Sequence, residues 1–418
     1  MRILLINNYF SNTGGADVYT YRVGQLLREN GHEVFFFATD QKPYFEDNYE
    51  YSSYFPRNID YKSLSKLELI KHNFRPFYNF EAEAKLDKFI KLIKPDLIHC
   101  NCIFFNLTPS VLNAACKNNI PVAMTLHGPQ LMCPSVKMMY KSEVYCKDKH
   151  CVSGNPIHCI TNKCLNNSYI KSAGITAEFV FRKIHGLYTK ISAYICPSQA
   201  ILDLAQMSGI DSNRLFLINN FVDRSLFNNE VQDSNKGYFL FVGRLSKEKG
   251  AHYLIEAMTK LPKDIKVHIV GTGQEEENLK LQAKQYNLSN IEFMGFKSGK
   301  ELEEEYKNCI GTIIPCDWFE NFPTTVIESF TYGKPVIGSC IGGIPEMIDD
   351  NINGLVFETG NTDQLSQAIY KLYSNNNLAQ EMGNQGRLKA QRHYAPEVYY
   401  TKLIKVYNNC TSGECTIS

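Results

Sequence analysis

The chain has 418 residues, which predicts two or three domains, and its 44% hydrophobic and 12% aromatic residues suffice for sizeable cores. Its net charge of +1 divides into +5 for residues 1–223 and −4 for residues 224–418, which excludes the concentrated basic face that nucleic-acid binding requires. The first apolar run is too short for a signal-peptide core, and no window has the length of a membrane span. With fourteen cysteines and no secretion signal, we expect reduced thiols or metal ligands in a cytoplasmic protein.

Short apolar runs rich in branched residues alternate with amphipathic stretches along the whole chain. Residues 19–31 have the apolar spacing of a helix and end at a glycine. The alternation predicts an α/β fold in which helices cover both faces of parallel sheets. The strands predicted in the first half are 2–7, 33–38, 96–100, 121–125, 193–196 and 215–218. Those predicted in the second half are 238–243, 266–271, 291–295, 311–315, 335–339 and 354–357.

A polar stretch at 228–237 separates the two series of strands and predicts a linker. We therefore expect two Rossmann-like, doubly wound domains that face each other across a cleft, residues 1–225 and 226–394. The tail, 395–418, contains an amphipathic helix at 396–409 that could pack back on the first domain. Ligands of such sheets bind beyond the carboxyl ends of the strands, so the residues that follow each strand are the candidates for a site.

The segment TGGADVYTY (13–21) follows the first strand and opens the first helix. Gly14 and Gly15 would let the backbone approach a ligand, and the helix N-terminus offers free N–H groups to an anion. An ordinary tight turn explains the same glycines. The G-x-G-x-x-G fingerprint is missing, which disfavours a NAD-dependent dehydrogenase.

The segment FVGRLSKEKG (241–250) places two cations between a strand and the next helix. The guanidinium of Arg244 can hold phosphate oxygens in a bidentate manner, and Lys249 adds a point charge nearby. A solvated loop is the alternative explanation.

The segment ENFPTTVIE (320–328) follows another strand and should share the sheet edge of Arg244. Pro323 can occupy the first turn of a helix, which leaves the next two threonine amides free to receive a phosphate. Glu328 can accept two hydrogen bonds from vicinal ribose hydroxyls, and Glu320 would face whatever lies beyond the phosphates. Taken singly, each carboxylate is explained as simply by a surface position or a helix cap.

Together these segments resemble the retaining glycosyltransferases of the GT-B fold in family four. The Glu-x7-Glu spacing with FVGRL…KG upstream is the most specific part of the likeness. The segments TGGADVYTYRVGQLLRENGHEV, TLHG and HIVGTGQE are similar to the family's first βα unit, to a further landmark and to its nucleotide-side turn. The likeness extends over nearly the whole chain.

The resemblance implies a role for each matched residue. Glu328 would bind the donor ribose, and Glu320 the hydroxyls of the donor sugar. Arg244 and Lys249 would neutralise the diphosphate. His127 would lie beside the transferred sugar and stabilise its developing positive charge, although a lone histidine after a strand is otherwise a loop or core residue. The further residues implied in donor binding are Gly14, Gly15, Gly271, Phe296, Phe322, Pro323, Thr324 and Thr325.

The resemblance also implies chemistry without a metal, and the sequence contains no Asp-x-Asp pair of the kind that holds a divalent ion in many nucleotide-sugar transferases. Arg244, Lys249 and a helix N-terminus could stabilise the leaving group instead. The implied reaction is front-face displacement with retention at the anomeric carbon. Phe221 departs from the family, which usually has glycine there, whereas Asp223 is kept.

A cysteine-rich insertion at 133–164 is a larger departure, and two histidines are interleaved with its thiols. The spacing fits a structural zinc ion and fits a loop of reduced or disulfide-bonded thiols equally well. The candidate ligands are Cys133, Cys146, Cys151, Cys159 and Cys164.

We therefore expect an enzyme that transfers a sugar from a nucleoside diphosphate sugar to a glycan or lipid-linked acceptor, in surface polysaccharide or lipopolysaccharide biosynthesis. A sugar-nucleotide 2-epimerase and an inactive nucleotide-sugar-binding scaffold are the alternatives. The acceptor should bind the first domain, where residues 57–94 combine nine basic and five acidic residues with many aromatics. This segment could rest on the anionic surface of the inner membrane, or form ordinary solvated helices.

Overall fold

The computed structural model describes residues 1–60, 74–141, 144–228 and 237–413. Strands and helices alternate through both halves of the chain. The first half contains β1 (Arg2–Ile6), α1 (Gly15–Glu29), β2 (Glu33–Phe37), α2 (Phe80–Ile93), β3 (Leu97–Cys100), α3 (Ser110–Lys117), β4 (Val122–Thr125), β5 (Met139–Tyr140), β6 (Val144–Tyr145), α4 (Ile157–Thr161), α5 (Tyr169–Ile184), β7 (Ala193–Cys196), α6 (Gln199–Met207) and β8 (Leu215–Leu217). The second half contains β9 (Tyr238–Val242), α7 (Ala251–Met258), β10 (Lys266–Val270), α8 (Glu276–Gln285), β11 (Ile291–Gly295), α9 (Gly299–Asn308), β12 (Thr312–Ile314), α10 (Thr324–Thr331), β13 (Val336–Ser339), α11 (Ile344–Met347), β14 (Gly354–Phe357), α12 (Thr362–Ser374), α13 (Asn376–His393) and α14 (Pro396–Ser412).

Two parallel six-stranded sheets confirm the predicted α/β class, and each of the twelve predicted strands is present. The first sheet has the order β2-β1-β3-β4-β7-β8, and the second has the order β11-β10-β9-β12-β13-β14. Every residue of β3, β4, β7 and β13 is buried. Because neighbouring residues of a strand point to opposite faces, both faces of each sheet are covered.

The strand order of each sheet reverses at one point, and ligands of doubly wound folds bind there. The reversal lies between β1 and β3 in the first sheet and between β9 and β12 in the second. The segments predicted to bind phosphate follow β1, β9 and β12. The topology therefore puts them where such sheets bind ligands.

Helix α1 begins four residues before the predicted start and ends two residues before the predicted end. Its polar first turn has no apolar spacing that would reveal it in the sequence. Gly31, the predicted end of the helix, has φ +80°, a left-handed conformation that glycine adopts without the usual Cβ penalty.

The C-terminal helix α14 lies against the first sheet. The hydroxyls of Tyr399 and Tyr19 are hydrogen-bonded to each other, and Tyr407 Oη is 2.6 Å from His99 Nδ1. Phe221 packs on Tyr399 with ring centroids 4.5 Å apart. The phenylalanine that stands where the family usually has glycine therefore packs in the core of the first half.

Parts of four predicted segments lie outside the described residues. They are 61–73 within the basic stretch 57–94, 142–143 within the cysteine-rich insertion 133–164, 229–236 within the predicted linker, and 414–418 within the tail 395–418. Across the parts of the chain that the structure describes, no helix has the length and apolarity needed to cross a membrane.

Candidate active site

The loops after β9 and β12 bring Lys249 and Glu320 into contact. Lys249 Nζ lies 2.5 Å from Glu320 Oε2, and Trp318 Nε1 donates to the same oxygen at 2.9 Å. Gly250 has φ +73°, and a Cβ there would lie 1.8 Å from the carbonyl oxygen of Pro315. Only glycine allows the loop after β9 to pack this closely on the end of β12.

The Lys249–Glu320 pair is largely withdrawn from water, with 27% and 15% of the two side chains exposed. Burial alone would lower the pKa of Lys249, but the Glu320 carboxylate, with smaller help from neighbours, raises it above the ordinary lysine value. Lys249 is therefore a fixed positive charge at neutral pH, and its partner Glu320 lies four positions before a helix N-terminus, which also attracts anions.

That N-terminus belongs to α10, which begins at Thr324, one residue later than predicted. Pro323 precedes the helix with ψ 120°, so it is the capping residue and does not belong to the first turn. Its carbonyl accepts from Val326 N at 3.1 Å. The amides of Thr324 and Thr325 have no acceptor among the described residues, so they remain available to an anion.

Glu328 projects from α10 toward the first half of the chain. Tyr306 Oη donates to Glu328 Oε2 at 2.9 Å, and burial raises the pKa of this carboxyl. Arg22 of α1 lies near enough to oppose that rise, and it is itself 3.0 Å from Asp223. The other carboxylate oxygen of Glu328 accepts no hydrogen bond from the described residues, which leaves it available to a ligand hydroxyl.

The remaining residues that the sequence predicts to bind the donor differ in their exposure. Arg244 is exposed, and its guanidinium contacts no carboxylate among the described residues. Phe296 is 73% exposed, whereas Phe322 is only 5% exposed, so Phe322 can offer a ligand only its backbone. Gly271 has φ +134°, and a Cβ there would meet the Gly243 carbonyl oxygen at 1.9 Å, so close packing of two loops accounts for this glycine.

On the first-half side, Gly14 and Gly15 lie at the N-terminus of α1, which has no side-chain cap. A Cβ on Gly15 would meet nothing within 4 Å. Packing therefore does not require this glycine, because the space that its Cβ would occupy is open.

His127 follows β4, and burial lowers its pKa to about 4, so its imidazole is neutral at neutral pH. Its Nε2 lies 2.8 Å from Asn101 Oδ1, and its ring packs edge-on against Tyr19 at 4.9 Å between centroids. The other polar atom of Asn101, Nδ2, is buried without a partner among the described residues. The histidine is thus held in one orientation by a side chain that follows β3.

Contacts between the two halves connect the loops of Glu320 and His127. Asn321 Nδ2 donates to the Leu126 carbonyl at 2.8 Å, and Ser198 Oγ donates to Asn321 Oδ1 at 2.7 Å. These residues were missed in the sequence, because their partners lie more than 100 positions away and no local spacing reveals them.

A second contact between the halves is made by Glu346. Its two carboxylate oxygens accept from the backbone amides of Gln199 and Ala200, each at 2.6 Å. A carboxylate from the second half therefore caps the N-terminus of α6 in the first half.

The five candidate zinc ligands line one small cavity of about 20 Å³ together with His150 and His158. The two imidazole rings stack with centroids 4.1 Å apart. A hydrogen bond from Cys164 lowers the pKa of the Cys159 thiol. Within the described ranges, however, no three His, Cys, Asp or Glu side chains are grouped closely enough to hold a metal ion. The zinc hypothesis stays a prediction.

For an anion, these loops offer the exposed Arg244, the Lys249 that pairs with Glu320, and the free amides at the start of α10. For hydroxyl groups, they offer the carboxylates of Glu320 and Glu328. Comparison with known families agrees with that chemistry. Residues 13–226 match the model of Glycosyltransferase Family 4, and residues 223–389 match Glycosyl transferases group 1. The chain is an enzyme of the glycosyltransferase class. It belongs to the glycosyltransferases whose first half matches Glycosyltransferase Family 4 and whose second half matches Glycosyl transferases group 1.

Curated relatives include two uncharacterised glycosyltransferases of Methanocaldococcus jannaschii. One is 31% identical over 48% of this chain and 54% of its own length, so the chain spans about half of that relative. The other is 23% identical over 94% of both chains. The O-antigen chain mannosyltransferase C of Escherichia coli is 27% identical over 41% of this chain and 46% of its own.

Solved structures with a similar fold include sucrose-phosphate synthase from Thermosynechococcus elongatus, with a TM-score of 0.71 and 18% identity over 99% of both chains. Anabaena HepE in complex with UDP has a TM-score of 0.68 and 17% identity over 98% of this chain and all of that chain. The fold is therefore GT-B, with two Rossmann-like domains, as the sequence predicted.

Proposed function

We propose that the chain is a retaining, metal-independent glycosyltransferase that moves a sugar from a nucleoside diphosphate sugar to a glycan or lipid-linked acceptor in surface polysaccharide or lipopolysaccharide biosynthesis. One observation carries the proposal: Glu320, which pairs with Lys249, precedes the uncapped N-terminus of α10, and Glu328 follows it on the helix. The likeness to the O-antigen mannosyltransferase supports the product class, and the fold shared with UDP-bound HepE supports a nucleotide-sugar donor.

In this proposal the second half binds the donor. Glu328 accepts hydrogen bonds from the ribose hydroxyls through its uncontacted oxygen. The diphosphate lies between Arg244, Lys249 and the amides of Thr324 and Thr325, where two cations and a helix N-terminus oppose its charge. Glu320, oriented by Lys249, accepts from the sugar hydroxyls.

The acceptor enters from the first half, where His127 lies. The C1–O bond to the diphosphate breaks while the acceptor oxygen bonds to C1 on the same face, and the departing phosphate oxygen takes the acceptor proton. His127 is neutral, so it adds no positive charge beside the developing oxocarbenium ion. In this mechanism the protein contributes the positioning of donor and acceptor and the stabilisation of the charges that develop.

The proposed division of labour assigns residues 1–225 to the acceptor, 226–394 to the donor, and 395–418 to a tail that supports the first domain. The packing of Tyr399 and Tyr407 on the first sheet supports the last assignment. We also propose that the enzyme acts in the cytoplasm, at the cytoplasmic face of the membrane.

Thermal denaturation with UDP, GDP, ADP, dTDP and CMP, all in EDTA, tests the donor site. We expect one nucleotide to raise the melting temperature, Glu328→Ala to abolish that shift, and Glu301→Ala to retain it, because Glu301 is exposed on α9. No shift with any nucleotide would refute the assignment of ribose and diphosphate.

Two further readouts separate the alternatives. A 2-epimerase would convert the donor sugar with no acceptor present. An inactive scaffold would bind the nucleotide but release none from a nucleotide sugar in the presence of a membrane glycan extract.

A further inference from the structure

Helix α5 carries an uncovered apolar face. Its inward face is buried through Ser172, Thr176, Phe179 and Arg182. The opposite face of the helix consists of residues spaced alternately four and three positions apart, and none of them is polar. Its members are Ile170, Gly174, Ala177, Phe181 and Ile184. Ile170 is 86% exposed and Ile184 76% exposed, which places two large aliphatic side chains in water at the two ends of the helix.

Aromatic residues before α2 extend this face. The rings of Phe74 and Phe77 lie 6.3 and 5.8 Å from that of Phe181, measured between centroids. Phe74 is 57% exposed, and Phe80, which lines the same groove as Phe74 and Phe181, is 67% exposed. We call this area the α5 surface; it consists of Phe74, Phe80, Ile170, Gly174, Ala177, Phe181 and Ile184.

The charges around the α5 surface are positive. Lys171 and Lys183 flank the two exposed isoleucines, and neither has a carboxylate partner among the described residues. Lys163 lies over the Tyr169 ring at 4.5 Å. The carboxylate of α5, Glu178, is buried and paired with Arg182 at 2.5 Å, so it does not offset these lysines.

Neighbouring carboxylates do not change that balance. Glu81, near Phe80, pairs with Arg75 at 3.1 Å. Lys190, which lines the groove, contacts the Asn113 amide oxygen and no carboxylate among the described residues. An apolar face with a cationic rim is complementary to a partner that is apolar beneath an anionic surface.

We propose that the α5 surface binds the anionic surface of a lipid bilayer. The isoleucines and phenylalanines enter the boundary between head groups and acyl chains, while the lysines extend to the head-group phosphates. This interaction goes beyond the proposed function, because it does not involve the donor site. The sequence-based hypothesis that residues 57–94 contact a membrane concerns the same surface, because Phe74 and Phe80 belong to that segment.

Co-sedimentation of the full chain with vesicles tests the proposal. We expect binding to mixed phosphatidylcholine–phosphatidylglycerol vesicles, weaker binding at high salt, and little binding to phosphatidylcholine alone. The double variant Ile170→Asp/Ile184→Asp should weaken binding about tenfold or more. The matched control Leu281→Asp/Ile352→Asp, at residues 56% and 57% exposed in the second half, should bind as the unmodified chain does.

Three results would overturn the proposal: no binding to either vesicle, equal loss in the control variant, or concentration-dependent dimers that Ile170→Asp/Ile184→Asp dissociates. The last result would assign the α5 surface to a second copy of the chain. All four substituted side chains are exposed, so we expect unchanged melting temperatures. The nucleotide-induced shift should also persist in both variants, so failure here is separable from failure of the donor site.

Discussion

Asn321 connects the loop of Glu320 to the loop of His127, and its replacement by alanine should loosen the contact between the two domains. The substitution removes the hydrogen bond from Asn321 to the Leu126 carbonyl and the one from Ser198. Each contributes roughly 0.5–1.5 kcal/mol, so the pair contributes about 1–3 kcal/mol to the closed arrangement. That free energy corresponds to a roughly 5- to 150-fold increase in the open population.

Hydrogen–deuterium exchange measures this opening directly. The amides of Gln199 and Ala200 donate to Glu346 across the domain contact, so they are protected only while the domains are together. In Asn321→Ala we expect their exchange to accelerate by about the same factor as the open population.

Asn290→Ala is the matched control. Asn290 is 7% exposed, against 8% for Asn321, and it donates to the Ile265 carbonyl at 2.7 Å inside the second domain. This control should accelerate exchange locally and leave residues 199–200 protected. Equal protection of residues 199–200 in Asn321→Ala and Asn290→Ala would refute the reasoning.

Three other predictions concern the cation, the histidine and the thiols. Lys249→Met should weaken nucleotide binding by about tenfold or more in calorimetry, through loss of a diphosphate contact, whereas Lys247→Met should not; equal affinities would contradict the role of Lys249. The pKa of His127 is about 4 in the folded chain and about 6.5 when unfolded, so its stabilising contribution is present above pH 6.5 and is lost as the pH falls toward 4. His127→Gln should therefore flatten the decline of unfolding free energy between pH 7 and 5, and an unchanged slope would count against a buried neutral imidazole. Elemental analysis should find about one zinc per chain if the cavity of the insertion holds a metal, and Cys159→Ser but not Cys309→Ser should then reduce it; background zinc in the unmodified chain would end the hypothesis.

Local patterns in the sequence predicted the strands well, because parallel strands buried on both faces are continuous apolar runs. Because the carboxyl ends of parallel strands lie at the same edge of a sheet, the residues that follow β9 and β12 could also be assigned to one edge. The structure brings Lys249 and Glu320 together there. Pairings between distant segments left no local signal. Asn321 and Leu126 are 195 positions apart, and an asparagine after a glutamate looks like any loop residue.

Boundaries and exposed faces were also beyond the reach of spacing alone. The position of Pro323 before α10, and not inside it, depends on a single ψ value. Phe221 has a reason only once α14 returns to the first sheet and presents Tyr399. The apolar residues of α5 could equally have been core, and only their exposure in the fold distinguishes Ile170 and Ile184 from buried residues.

Nucleotide release from a panel of nucleotide sugars, in the presence of a membrane glycan extract, tests the central claim most directly when Glu320→Gln is compared with the unmodified enzyme. Glu320 is proposed to hold the sugar and not the nucleotide, so Glu320→Gln should reduce release by roughly 10²–10³-fold while the thermal shift with the nucleoside diphosphate persists. Equal release by both proteins would contradict the account, because the site between Glu320 and Glu328 would then not be where the sugar is transferred.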